Sequence, residues 1–174
     1  MIAQVFRISM PIMLWLLVII SEVSANDITV HNFRQECRIG PIGVTDRFDM
    51  NVLNQLFGPI SGEVVQQRFG IGNAGRYMII PFQNVKITVV DDSLASIQVS
   101  ETISQDGTAM GTPRGIVVGH SLDTVFRLYG TPFKTWKNNG CIVYVYGNYD
   151  VGLSFWVNPV TNKVVQIGAY IPTC

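Results

Sequence analysis

The sequence predicts an α+β fold made of two similar units, each a short helix packed on an antiparallel β-meander. Apolar residues make up 48% of the 174 positions and charged residues 14%, which is typical of a chain with a sizeable core. Gly43-Val44 and Leu56-Phe57-Gly58-Pro59 correspond to Gly115-Ile116 and Leu128-Tyr129-Gly130-Thr131, 72 positions later. Each pair of segments is followed by short apolar runs separated by turn residues, a pattern that indicates strands.

One helix is predicted in each unit. Asp46 and Asp49 lie where the first helix is predicted to begin, because their carboxylates are favourable at the positive end of a helix dipole. This helix is predicted to end at Gly58-Pro59. The second begins at Ser121, a favourable N-cap, and ends at Gly130. The apolar residues at helical spacing are Phe48, Val52, Leu53 and Leu56 in the first helix and Leu122, Val125, Phe126 and Tyr129 in the second.

Three strands are predicted after each helix. They cover residues 77–80, 85–90 and 95–101 in the first unit and residues 141–146, 151–156 and 164–171 in the second. Residues 28–33 are a candidate edge strand. The units are expected to span residues 26–101 and 115–174, with residues 102–114 as the linker.

Residues 1–25 are predicted to be a secretory signal peptide. Arg7 precedes an unbroken apolar run over residues 12–20, and Val23-Ser24-Ala25 offers the small residues that a signal peptidase reads. A membrane anchor would need about 20 apolar residues, and Ser21-Glu22 ends the run before that. We therefore expect a mature chain that begins near Asn26, is periplasmic or secreted, and keeps no membrane anchor.

The charge balance and the motifs favour a binding protein over an enzyme. The net charge is zero and no basic stripe is present, which argues against nucleic acid as a partner. Residues 70–75 fit G-x-G-x-x-G, but a strand is predicted after them instead of the helix that dinucleotide binding requires. His31 and His120 are the two histidines, and neither has ligands at metal spacing. We expect no cofactor, no metal and no catalytic residues.

The three cysteines predict one disulfide and one odd thiol in an oxidising compartment. In a meander Cys141 and Cys174 would lie at opposite ends of the sheet, too far apart for a bond. The favoured pairing is Cys37 with Cys174, since it closes the longest loop. A disulfide between Cys37 and Cys141 is also compatible with the distance argument, but it would close a shorter loop. This pairing therefore remains an alternative.

The last three predicted strands suggest a binding surface on one face of the sheet. Alternation places Val151, Leu153, Phe155, Val157, Val165, Ile167 and Ala169 on the core side. It assigns to the opposite side the aromatic residues Tyr144, Tyr146, Trp156 and Tyr170. Tyrosine and tryptophan are enriched at protein interfaces. Two other interpretations are open: this face packs against the first unit, or its rings are exposed without a role.

The order Gly-Ile, short helix, aromatic-Gly-x-Pro and meander, carried best by residues 115–170 and more loosely by residues 43–101, resembles two groups of proteins. These are the outer-membrane assembly lipoproteins of the SmpA/OmlA type and the tandem-repeat β-lactamase inhibitor proteins. The chain departs from the first by lacking a lipid-attachment cysteine, and from the second by lacking a cysteine pair in each half. The resemblance therefore implies a fold more than an activity.

Together these features predict an exported protein-binding or inhibitory module that contacts a protein in the cell envelope or outside the cell. A structural part in envelope assembly is the alternative that the lipoprotein resemblance implies. A hydrolase with a dispersed site is less favoured, because no nucleophile–base pair is visible in the sequence.

Overall fold

The structure is a computed structural model that describes residues 30–70, 75–148 and 151–171. Within them the fold is α+β, with one large antiparallel sheet and three short helices. The predicted signal peptide, residues 1–25, and Cys174 lie outside the described residues. No helix in the described part of the chain is long and apolar enough to span a membrane.

The helices are α1 (Val30–Glu36), α2 (Met50–Phe57) and α3 (Leu122–Tyr129). A two-stranded ribbon consists of β1 (Arg38–Ile39) and β2 (Ile42–Gly43). The strands of the large sheet are β3 (Val65–Phe69), β4 (Gly75–Pro81), β5 (Val85–Val90), β6 (Ser93–Val99), β7 (Lys134–Asn138), β8 (Cys141–Gly147), β9 (Gly152–Asn158) and β10 (Lys163–Tyr170).

Both predicted helices are present with their predicted stops, but α2 begins at Met50, so Asp46 and Phe48 lie before the helix and only Asp49 caps it. The Asp49 carboxylate accepts the backbone N–H groups of Asn51 and Val52 at the start of α2, and the Ser121 hydroxyl accepts that of Thr124 at the start of α3. Gly58 and Gly130 end the two helices with φ of 76° and 71°, a region that side chains disfavour. The N-cap residues and the C-terminal glycines therefore delimit the helices through contacts with the neighbouring backbone.

The six predicted strands are present, with ends that differ by at most two residues. Two strands of the sheet were not predicted: β3 and β7 lie at its two edges and are largely exposed. The predicted edge strand over residues 28–33 is wrong where the structure describes it, because the helix α1 begins at Val30. Each predicted meander of three strands is thus a run of four.

The eight strands form a continuous antiparallel sheet in the order β3-β4-β5-β6-β10-β9-β8-β7. Strands β3 to β6 follow α2 and strands β7 to β10 follow α3, so β6 and β10 are the last strand of each run. These two strands pair with each other at the centre of the sheet, from Val99 opposite Ile167 to Ser96 opposite Tyr170. One sheet therefore crosses the boundary between the two predicted units.

The helices and the ribbon contribute to a single core on one face of the sheet. Its buried residues include Cys37 and Ile39 near the ribbon, Leu53 of α2, Val125 of α3, and Ile97, Phe155 and Ile167 of the strands. Val165 was predicted to face this core, but it is exposed. The β-bulge between Val164 and Gln166 shifts the alternation by one residue and buries Val164 instead.

A part-buried ion pair connects α1 to the segment before α3. The Nε atom of Arg114 lies 3.1 Å from Oε1 of Glu36, and both side chains are about one-fifth exposed. The same guanidinium donates to the Leu128 carbonyl and lies 5.0 Å from the centre of the Tyr129 ring. Loss of the arginine would leave the Glu36 carboxylate largely buried without its counter-charge.

Arg114→Met is therefore expected to lower the free energy of unfolding by about 2–3 kcal/mol, because an unpaired buried charge is costly. Arg76→Met is the matched control, since the ion pair of Arg76 with Asp92 is more exposed and contributes under about 1 kcal/mol. Urea unfolding of both variants measures the difference. If both variants lose the same free energy of unfolding, the Glu36–Arg114 pair does not stabilise the fold more than an exposed ion pair does.

The thiols of Cys37 and Cys141 are free in this structure. Because Cys174 lies outside the described residues, the Cys37–Cys174 disulfide stays a prediction. Cys37 has no exposed surface, and burial, together with the nearby Glu36 charge, raises the pKa of its thiol from 9.0 to about 12. Cys141 is partly exposed. The two cysteines should therefore differ strongly in reactivity.

At pH 8 a thiol reagent should label Cys141 in the folded protein and leave Cys37 unlabelled, because Cys37 is both inaccessible and un-ionised. Cys141→Ser should remove the label found by peptide mapping. Unfolding without reductant then tests the pairing: Cys37 is labelled at once if it is a free thiol and only after reduction if it is bonded to Cys174. Rapid labelling of Cys37 in the folded state would contradict this prediction.

Candidate binding surface on the sheet

The second face of the sheet, called here the open face, contributes nothing to the helix-covered core of the described residues. Strand pairing aligns six of its residues in one line across the strands, from β5 to β7. We give the name cross-sheet row to this six-residue part of the line, whose members are Lys86, Gln98, Gly168, Ser154, Val145 and Lys134. Beyond Lys86 the line continues to the uncharged Pro81 of β4. Small residues occupy its middle and lysines its two ends.

Aromatic side chains border the cross-sheet row on both sides. On one side Trp156 and Trp136 flank Val143, with which both are paired. On the other side lies Tyr170, opposite Ser96. The space between them is a shallow cavity of about 140 Å³, lined by Ser96, Gln98, Trp136, Ser154, Trp156, Gly168, Ala169 and Tyr170. Aromatic walls and a floor of small residues thus form a groove.

Two glycines let these rings lie against the sheet. A Cβ atom on Gly168 would be 3.0 Å from Cζ3 of Trp156, and one on Gly152 would be 2.5 Å from Cζ of Tyr170. The rings therefore occupy space that any other residue would fill, as in known aromatic–glycine pairs of sheets. Trp156 and Tyr170 are partly buried as a result, each with part of its surface left to solvent.

The tryptophans also shield apolar side chains on the open face. Val143 and Val145 are 0% and 2% exposed, yet they do not belong to the helix-covered core. Trp136 remains 40% exposed, with the Lys134 ammonium 5.6 Å from its ring centre. The face therefore combines a small apolar cluster with accessible aromatic surface, a composition found at the centre of protein interfaces.

Some polar groups of the groove have hydrogen-bonding capacity that the described residues do not use. The Ser154 hydroxyl donates to the Gly168 carbonyl at 3.3 Å. The Gln166 amide donates to Oε1 of Gln98 at 3.4 Å, which leaves the Gln98 amide N–H groups and the Gln166 carbonyl for another partner. Burial, with a smaller contribution from Cys37, raises the pKa of the Tyr170 hydroxyl, so it is a neutral donor or acceptor.

The charge of the sheet strands is entirely positive. None of the eight described strands contains aspartate or glutamate, and lysines lie at both ends of the cross-sheet row. Lys86 and Lys134 are exposed and make no ion pair within the described residues. Acidic residues that flank these strands have partners within the chain: Asp91 accepts the backbone N–H of Arg76, Asp92 pairs with the Arg76 guanidinium, and Glu101 accepts a hydrogen bond from Asn84.

Two of the four predicted surface residues face the core instead. Tyr144 is paired with Phe155 and Tyr146 with Leu153, so both tyrosines lie on the helix-covered face. Tyr146 is 3% exposed, contacts the Tyr129 and Phe155 rings and donates its hydroxyl to the Gly130 carbonyl. Their predicted orientation is wrong, because β8 is apolar on both faces and its alternation does not reveal which face is buried.

Trp156 and Tyr170 do lie on the open face, and Trp136 joins them there. Sequence reasoning missed Trp136 because its strand, β7, carries two lysines and few apolar residues. A usable signal was present: Asn139-Gly140 connects β7 to β8 with positive φ at both residues, as a tight hairpin turn requires. That dipeptide predicts a strand on each side of it.

The glycine-rich motif and the two histidines of the sequence analysis do not form a recognisable binding site in the described residues. The glycine-rich stretch 70–75 connects the antiparallel strands β3 and β4, and no helix follows it. His31 belongs to α1, and the Nδ1 atom of His120 is buried without a hydrogen-bond partner among the described residues. In residues 30–70, 75–148 and 151–171 no group of three or more His, Cys, Asp or Glu side chains could hold a metal ion.

Comparisons with known proteins leave the family open. No family model matches the chain, and no curated protein matches it. A cysteine-rich secretory protein of Staphylococcus aureus aligns with a TM-score of 0.48 and 14% identity, over 79% of this chain and 49% of that protein. An extracellular protein of Bacillus anthracis with an SCP domain aligns with a TM-score of 0.45 and 10% identity, over 73% and 44%.

A DUF4309 family protein of Bacillus subtilis aligns with a TM-score of 0.46 and 12% identity, over 82% of this chain and 93% of that protein. The chain spans less than half the length of the Staphylococcus and Bacillus anthracis proteins. Similarities of this size assign neither a family nor an activity.

Proposed function

We propose that the chain is an exported protein-binding module without catalytic activity, and that it contacts its partner through the open face of the sheet. The partner is a protein of the cell envelope or of the extracellular space. The contact surface consists of Trp136, Trp156 and Tyr170 with the groove between them. This assignment replaces Tyr144 and Tyr146 of the sequence-based prediction by Trp136.

One observation carries the proposal: two tryptophans, Trp156 partly exposed and Trp136 exposed, lie two strands apart on a sheet face that no described helix covers. Each flanks the buried Val143, so the cluster already excludes water at its base. Tryptophan residues anchored in this way are the residue type most enriched among interface hot spots. The apolar run and small residues of positions 1–25 support export to the compartment where such a face would meet its partner.

We also propose that the sheet consists of two similar units, each a helix followed by four strands. In support, α2 and α3 have eight residues each, begin 72 positions apart and end in glycines of similar conformation. The central pairing of β6 with β10 then joins like strand to like strand. The open face at this junction contains residues from both units, which favours a binding surface that neither unit has alone.

The test is capture of the partner from the native envelope by the exported protein and by the double variant Trp136→Ala/Trp156→Ala. Loss of two hot-spot tryptophans should weaken binding by at least about thirtyfold. The circular dichroism spectrum should change little, because the helix-covered core is untouched. A modest fall in the melting temperature is expected, since Val143 and Val145 lose their cover.

Val160→Ala is the control, because Val160 is 90% exposed in the turn between β9 and β10. It should leave partner capture unchanged. If the tryptophan variant keeps its fold and still captures the partner as well as the Val160 control does, the open face is not the binding surface.

A further inference from the structure

We propose that the groove of the open face binds an extended acidic segment of the partner protein, with one carboxylate near each end and an apolar side chain between them. This inference rests on the proposed function and names the chemistry of its partner. It assigns the lysines at the ends of the cross-sheet row to charge recognition and the aromatic groove to the apolar side chain.

The distribution of charge carries the first step. Lys86 and Lys134 end the cross-sheet row, both are exposed, and neither has a carboxylate partner in the described chain. The strands between them contain no acidic residue that could repel a carboxylate. Complementary charge steers association and fixes the register of a bound segment. The complementary partner therefore carries negative charge at two separated points.

The length of the row sets the separation of those points. Five strand-to-strand steps separate Lys86 from Lys134, which at about 4.8 Å each makes a row of about 24 Å. An extended polypeptide advances about 3.4 Å per residue, so about seven residues cover this distance. The flexible lysine side chains widen the acceptable spacing to about six to eight residues.

The middle of the row fits the centre of such a segment. The shallow cavity, lined by Trp156 and Tyr170 together with Ser154 and Gly168, has room for one apolar side chain. The Gln98 amide N–H groups and the Gln166 carbonyl lie beside it as a donor and an acceptor. A peptide group offers the matching acceptor and donor, and each such hydrogen bond fixes the orientation of the segment.

The same spacing argues against a regular anionic polysaccharide. Such a polymer carries charge at every repeat, whereas the cross-sheet row has cations only at its ends and uncharged residues over the four positions between them. A peptide sequence can place two carboxylates where the lysines are and an apolar residue where the rings are. The favoured ligand is therefore a peptide segment.

The experiment uses a ten-residue peptide with glutamates seven positions apart, a leucine midway, and serine, threonine and glycine elsewhere. A second peptide has the same composition with both glutamates adjacent at one end. Titration is followed through the indole N–H resonances of Trp136 and Trp156 in the exported protein. The first peptide should bind about two- to fivefold more tightly, because only it satisfies both lysines.

Lys86→Glu and Lys134→Glu should each remove this preference, and 0.5 M salt should reduce it. Lys137→Glu is the matched control: it lies on β7 beside Trp136, but its side chain is on the helix-covered side, in register with Ile142. This variant should keep the preference. Equal binding of the two peptides, no saturable shift with the first, or tighter binding of polygalacturonate would overturn the inference.

The capture experiment and the peptide titration distinguish failure of the proposed function from failure of the acidic-segment inference. If Trp136→Ala/Trp156→Ala abolishes partner capture but the peptides show no preference, the open face binds its partner by other chemistry and only the acidic-segment inference fails. If capture is also unaffected by the tryptophan variant, both fail.

Discussion

The pairing of β6 with β10 is the constraint on which the rest of the structure depends. Four residue pairs, from Val99 with Ile167 to Ser96 with Tyr170, join two four-stranded runs into one sheet. Because directly opposed residues share a face, this register fixes both sides of the sheet at once. It places Ile97 and Ala169 under the helices, and it brings Gln98 and Gly168 together in the middle of the groove.

A shift of one residue in that register would exchange the two faces. The core residues of β10 would then face solvent, and Tyr170 and Gln166 would be buried among aliphatic side chains. The energetic cost of such a shift is large because the core side of β10 consists of the buried apolar residues Val164, Ile167 and Ala169. The helix-covered core thereby holds the open face in place, although no core residue takes part in the proposed contact.

Much of this architecture could be predicted where the signal is local. The caps at Asp49 and Ser121, the stops at Gly58 and Gly130 and six strands follow from short-range chemistry. The faces of β8 could not be predicted, since Ile142 to Tyr146 are apolar throughout and only pairing with β9 selects the buried side. Val165 was misplaced for a related reason, because a bulge that alternation cannot anticipate changes the phase of β10.

The candidate site was harder to predict because it combines residues from distant parts of the chain. Trp156 and Tyr170 were recognised from their strands. Trp136 was missed because its edge strand contains two lysines and lacks the alternation of apolar and polar residues that indicates a strand. Lys86 and Lys134 join the site only through five successive strand pairings. Such a juxtaposition follows from topology, and no single stretch of sequence contains it.

The central claim is that the open face, and not the helix-covered side, meets the partner. Hydroxyl-radical footprinting of the exported protein, alone and in its native complex, tests this claim most directly. Trp136 and Phe126 are about equally exposed, at 40% and 39%, on opposite sides of the sheet. The account predicts that the partner protects Trp136 and leaves Phe126 as reactive as before. Protection of Phe126 with no change at Trp136 would contradict it.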